Sequence, residues 1–311
     1  HGDISSALAS TTREYDVHMG TDGEAKMNCV SCHQVQKDAE GNVLSHGIGG
    51  FAFHSVDEGV MKDCTDCHGA AASIHAGTSV QSIVQFHDRL ACQTCHIPLI
   101  GRQVSTMTDW RWEQAGLAAP PAGCAPADPA VVPARSTYSK QKGCFIWEND
   151  VRPTLRFHNG KWNRIMMNEN DQYASLPVDL ASPTATYADA DAKIYPFKKM
   201  VGNQPADAGN QTVLVPNLFG NATTDPDAFW VSFDWARALA SGATYTGQPY
   251  TGAYEFVDTV MLLKVDHGVA PKEDAYGMGG NCGDCHLSDQ IDWPALGWTQ
   301  DPATGGTQTL P

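Results

Sequence analysis

The sequence predicts a fold that is mostly coil and turns, with a few short helices and minor strands wrapped around bound cofactors in place of a large protein core. Three observations predict it. The pentapeptide Cys-x-x-Cys-His occurs four times, at residues 29–33, 64–68, 92–96 and 282–286. Three of the four crowd into the first 96 residues, which leaves no room there for an independent core. Gly (29) and Pro (18) are together modestly enriched in the 311 residues, which favours loops.

The motif fixes the cofactor. Two thiols three residues apart on one turn reach the two vinyl groups of a porphyrin, and the residue after the second thiol points its imidazole at the iron. Zinc sites and redox-active disulfides also use Cys-x-x-Cys pairs, but neither accounts for four trailing histidines. The chain therefore reads as a multihaem cytochrome c carrying four covalently bound haem c groups. Cys29, Cys32, Cys64, Cys67, Cys92, Cys95, Cys282 and Cys285 are the attachment sites, and His33, His68, His96 and His286 are the proximal iron ligands. Haems used as a shared core explain why little regular structure is expected.

Along the chain, residues 1–20 form an N-terminal arm with His1 and His18, a candidate subunit-crossing segment. Residues 21–100 form the three-haem segment, and 101–311 an aromatic-rich segment that closes on the fourth haem, all within one integrated domain. In the last segment Asp225 as N-cap, Pro226 in the first turn and the run from Ala228 to Ala240 predict one helix that stops near Gly242 and buttresses the haem layer. Short helices are expected around 56–67 and 80–86. The strand-like stretches 211–215 and 257–265 read as short and isolated. The six Trp residues at 110, 112, 147, 162, 230 and 235 are expected to pack with one another, some against porphyrin faces.

Histidine supply matches the demand for second ligands. Twelve His less the four in the motifs leaves eight, and bis-histidine ligation suits electron transfer, since axial ligands set the iron's potential. The distal candidates are His18, His46, His75, His87 and His267; His1, His54 and His158 are the remaining three. His46 and His75 sit too near their own motifs to cross that porphyrin, so each is expected to ligate a neighbouring haem. The pool exceeds what one closed monomer needs, so an arm histidine, His18 or His1, is a candidate to ligate an iron in the next copy. Met19, Met27, Met61 and Met278 are rival ligands read as packing filler.

Ten cysteines less the eight in motifs leave Cys124 and Cys144, which are expected to pair because haem attachment occurs in exported, oxidising compartments. The net charge of -15 excludes nucleic acid as a partner. No apolar run is long enough for a membrane span, and the absence of an initiating Met suggests a cleaved, exported precursor. Asn210 and Asn221 open weak glycosylation sequons.

The stretches at 1–8, 15–20, 89–98, 108–116, 145–153, 195–205, 215–220 and 265–275, among them YDVHMG, RLACQTCHIP, YPFKKMVGNQP and VDHGVAPKEDA, resemble the C-terminal half of octahaem tetrathionate reductase family cytochromes in the same order. In that family the catalytic haem takes a lysine ligand in the N-terminal half. All four motifs here end in His, so no catalytic residue carries over, and the resemblance implies an electron-relay portion rather than an enzyme. A free-standing tetrahaem chain is also similar to OmcE-like extracellular cytochrome nanowire subunits. That resemblance implies bis-His haems, export to the cell surface or beyond (a periplasmic carrier being the alternative), homopolymerisation into a filament, and redox donors and acceptors as the other partners.

Overall fold

The computed structural model describes residues 8, 10–33, 35–37, 40, 43–48, 62–122, 124, 134–165, 171–286 and 291–309, with 35–37, 43–48 and 134–135 described by main chain alone. His1, His54 and Met61, the first half of the helix expected over 56–67, and the side chain of His46 lie outside the described residues.

The coil-and-turn expectation needs correcting for the interval between the third and fourth motifs, which builds a nine-stranded mixed sheet. A separate pair, β1 (Val35–Lys37) and β2 (Val43–Ile48), forms a two-stranded sheet near the first motif. The large sheet contains β3 (Thr106–Arg111), β4 (Ala134–Ser139), β5 (Gly143–Glu148), β6 (Thr154–His158), β7 (Trp162–Arg164), β8 (Val178–Pro183), β9 (Lys193–Asp207), β10 (Thr212–Val213) and β11 (Tyr254–Lys264). Its order is β4-β5-β3-β9-β11-β8-β7, with β6 and β10 also on β9. The stretch 257–265, expected to be isolated, belongs to β11, which runs antiparallel to the 15-residue β9 from Tyr254 opposite Asp207 to Lys264 opposite Phe197. Pro196 and Pro205 inside β9 hide this strand from sequence reading, because proline ordinarily argues against a central strand. Gly202 is where β3 crosses closest: a Cβ there would lie 2.4 Å from the Trp110 carbonyl oxygen.

The expected single helix divides. The first part, α6 (Phe229–Ser232), ends where Phe233 turns left-handed (φ 51°), and α7 (Trp235–Thr246) then starts from Asp234, whose side chain accepts the Arg237 N–H. Asp225 does not cap it, since its carboxylate accepts from the Asn217 side chain at 2.9 and 3.0 Å. Gly242 does not stop it either. The helix runs on to a left-handed Gly247, and Gly242 lies inside it because a Cβ would sit 2.0 Å from the Val215 carbonyl oxygen.

The two ends of the β9–β11 ladder have different neighbours. At one end Trp112, Leu214, Phe229, Trp235 and Leu239 form a buried cluster with Trp110, Trp230 and Phe256 against it. At the other, Tyr195, Phe197 and Leu262 pack with Ala91 beneath the third motif. The ladder from Phe256 to Lys264 spans about 27 Å, so α7 buttresses the sheet's far end and not the haem-motif layer. The Trp residues at 110, 112, 230 and 235 accordingly pack into protein.

Candidate functional site

Each motif begins with one tight turn that sets its two thiols on one face. The first three lie on α1 (Cys29–Cys32), α2 (Thr65–His68) and α5 (Cys92–His96), and the fourth on a 3-10 turn, Cys282–Asp284. In three of them the motif histidine's N–H closes the turn onto the first cysteine's carbonyl at 2.9 Å: His33 on Cys29, His68 on Cys64 and His286 on Cys282. Short polar residues just before the first cysteine start these turns. Asn28 exchanges hydrogen bonds with the Ser31 hydroxyl (3.1 and 3.3 Å), Asp63 accepts from Thr65 (2.6 Å) and the Asp66 N–H (3.0 Å), and Asn281 accepts the Gly283 N–H at 3.1 Å. The Thr65 hydroxyl leads the causes that hold the Asp63 carboxyl below its ordinary range. A residue of the N-cap type before Cys was a readable signal for these three, one our sequence reading passed over.

The four motif histidines each face a second imidazole of the same chain. Ring centroids are 5.9 Å apart for His33 and His267, 5.8 Å for His68 and His18, 6.2 Å for His96 and His75, and 6.0 Å for His286 and His87. Two metal–imidazole bonds of about 2 Å put facing nitrogens about 4 Å apart, and half a ring on each side brings centroids to about 6 Å. The pairs therefore fit a six-coordinate iron at each motif. Among the described residues no group of three or more His, Cys, Asp or Glu gathers into a stand-alone metal site.

This pairing places His75 opposite the third motif, the neighbour of its own. His18 faces His68 of its own chain. His158 is buried in the sheet among the edges of Trp162, Tyr195 and Phe197 and faces none of the four motif histidines in the pairs described.

The distal histidines are held by recurrent devices. His75 follows α3 (Ala71–Ile74) and His87 follows α4 (Gln81–Phe86), and each ring Nδ1 lies 2.8 Å from a carbonyl four residues back, Ala71 and Ile83 respectively. An Nδ1–H donated there leaves Nε2 bare and facing the partner ring. His18 and His267 share one anchor. The buried Asp16 carboxylate accepts the His18 and Met19 N–H groups through Oδ1 (2.9 and 3.0 Å) and the Gly268 and Val269 N–H groups through Oδ2 (2.8 and 3.3 Å). The His267 segment is also tied to the third motif, since Ala270 N–H donates to the His96 carbonyl and Tyr276 N–H to that of Cys95. Asp266 accepts from Gln93 at 3.0 Å and pairs with the buried Lys264 at 3.1 Å.

Consecutive motifs adjoin. Cys32, raised chiefly by burial, also feels Cys67; Cys64 and Cys92 share a hydrogen bond; Cys95, pushed up to about 12 chiefly by burial, feels Cys285. Burial likewise leads the lowering of His96, followed by His75, His68 and His18, which puts the second and third pairs side by side. A lowered imidazole stays neutral, as a metal ligand must be. The motifs thus run first, second, third, fourth in space as in sequence. Away from them, Cys124 and Cys144 form a disulfide with Cα atoms 5.8 Å apart, where β5 begins. No helix among the described residues is long and apolar enough to cross a membrane.

With this geometry in view, comparison with known proteins is informative. The family described as "Cytochrome c bacterial" matches residues 107–289, more than half of the chain. The crystal structure of octaheme cytochrome c from Shewanella oneidensis is similar over 98% of this chain and 64% of its own, with 33% identity and a TM-score of 0.78. Dissimilatory sulfite reductase MccA of Wolinella succinogenes is 33% identical over 88 residues, 25% of this chain and 11% of that protein. The chain spans less than two thirds of the length of both.

Proposed function

Because this chain belongs to the bacterial cytochrome c family, we propose that it relays electrons through four bis-histidine c-type haems, one at each motif, ordered first to fourth. The observation that carries the reading is the set of four imidazole pairs at about 6 Å. Bound haem supplies one-electron storage at iron. The chain's own residues do the rest. The eight motif cysteines would anchor the ring edges and the eight paired histidines would take both faces, while Asp16, Ala71 and Ile83 hold the facing histidines or their segments in place. A haem held between each pair would have an imidazole on both faces and no place for a substrate, which favours a carrier over a reductase.

Intact-protein mass spectrometry and carbon monoxide binding test this together. Four added haem masses and a reduced low-spin spectrum unchanged by CO are expected. Stoichiometric CO binding at one iron would instead make that iron a substrate site, as a multihaem reductase of tetrathionate, nitrite or hydroxylamine requires.

The narrower reading is that exported copies polymerise into an extracellular conductive filament. It is supported by the resemblance to nanowire cytochromes, and with His18 engaged within its own chain, His1 remains the crossing candidate by position. Negative-stain microscopy of native material decides it: filaments support it, and discrete particles at every concentration point to a soluble periplasmic shuttle.

A further inference from the structure

The paired imidazoles differ in what their outer nitrogens meet. His75 and His87 each meet a neutral main-chain carbonyl at 2.8 Å. The carboxylate nearest His18 Nδ1 is Asp16 Oδ1 at 3.9 Å, and that oxygen already takes two backbone N–H groups. His286 is different, because its Nδ1 lies 2.6 Å from Asp301 Oδ1.

Asp301 is built into its place. Its carboxylate oxygen also accepts the Ala303 N–H at 2.8 Å, and its carbonyl accepts the Thr304 hydroxyl and the Gly306 N–H, each at 3.0 Å. The loop carrying it is closed at its base by Thr299 N–H to the Thr307 carbonyl (2.9 Å) and Thr309 N–H to that of Gly297 (2.8 Å). A Cβ on Gly306 would lie 2.0 Å from the Gln300 carbonyl oxygen, so the loop folds back tightly. The Asp301 side chain is 10% exposed, and Trp293 stacks on the His286 ring at 5.3 Å and 19°.

We propose that Asp301 is a positioning residue that gives His286 imidazolate character and so lowers the reduction potential of the haem at the fourth motif. The proposal rests on His286 being an axial ligand, as argued above. A hydrogen bond to an ionised acceptor is roughly twice as strong as one to a neutral acceptor, and a carboxylate behind a ligating histidine raises the ligand's basicity. A more basic Nε2 favours the ferric over the ferrous iron, and the buried negative charge acts in the same direction. Reduction adds one electron at iron, and the proton stays on Nδ1.

Potentiometric titration of the holoprotein and of its Asp301→Asn variant tests this, with Asp301→Glu as a companion that keeps the charge. In the Asn variant all haems stay attached and low-spin, and one redox step moves up at least tenfold in its equilibrium constant, about 59 mV for one electron. The Glu variant falls between the Asn variant and the native protein. Unmoved potentials with ligation retained overturn the proposal. A readout needing no variant is the proton spectrum of the reduced native protein with labelled histidines. The His286 Nδ1 proton is expected downfield of those of His75 and His87, and a position among them also overturns it. A fourth motif without haem, or without a low-spin iron, overturns the ligand reading first and this proposal with it, an outcome that mass and spectrum separate from a failed hydrogen bond.

Discussion

The motif-bearing stretch up to residue 100 and the sheet-bearing stretch after it are held together by different means. From residue 10 to 90, Tyr15 is the buried described hydrophobic side chain, and α1 to α4 carry no buried residue. Order there comes from caps, single turns and backbone bonds to Asp16 and Asp63. The sheet-bearing stretch buries Phe197, Phe229, Leu214, Leu239, Val178 and Val213 almost completely and aligns two long strands residue by residue. One region is thus a protein core in the ordinary sense, and the other a ligand cage whose packing partner is a cofactor. Helices of 4–6 residues such as α1 to α4 are too short to persist by themselves.

The largest effect that could break this comparison is removal of haem. Chain produced without haem attachment should keep slow amide exchange in β9 and β11 while residues 10–33 and 62–90 exchange about a thousandfold faster, ~4 kcal/mol less protected. Uniform exchange along the chain would mean that the regions are one cooperative unit, and the contrast would be lost. Next in size is Trp235→Ala, which empties the centre of the cluster beside α7, where Trp235 stacks on Phe229 at 3.9 Å. It should cost about 3–5 kcal/mol in denaturant unfolding of the sheet, with haem spectra unchanged because that cluster is at the ladder's far end. Reduction of the Cys124–Cys144 disulfide, which closes a separation of 20 residues, should cost about 3 kcal/mol. Melting with and without reductant measures it, and again the spectra should hold.

The same division decides what could be read from the sequence. Covalent chemistry is local, so four pentapeptides mark candidate attachment residues, and the histidine count matches the four imidazole pairs that the structure brings together. Which histidine faces which motif was not readable, because His267 and His33 are brought together by the β9–β11 ladder and by Asp16, both long-range. The pool of His18, His46, His75, His87 and His267 was named, but not the buried Asp16 that holds the His18 and His267 segments together. The large sheet escaped for a physical reason too. Pro196, Gly202 and Pro205 interrupt the strand pattern of β9, and Gly202 is required by the close passage of Trp110. Asp301 and Trp293 were invisible for the opposite cause, since nothing in a lone acid or a lone aromatic marks it as standing behind a ligand.

The smallest effect expected is also the one that most sharpens the contrast. Asp16→Asn keeps one carbonyl oxygen for the His18 and Met19 N–H groups but turns an amide toward the Gly268 and Val269 N–H groups, which then lose their acceptor. Leaving such donors unsatisfied costs about 1–3 kcal/mol, less than emptying the Trp235 cluster. The cost should nevertheless fall on two particular irons, because the segments that Asp16 joins carry the imidazoles facing His68 and His33. The reduced variant should take up CO at the first and second haems, while the third and fourth, whose distal rings depend on Ala71 and Ile83, should not respond. Equal CO uptake at all four would show that distal ligation is set by the cage as a whole and not by individual backbone anchors.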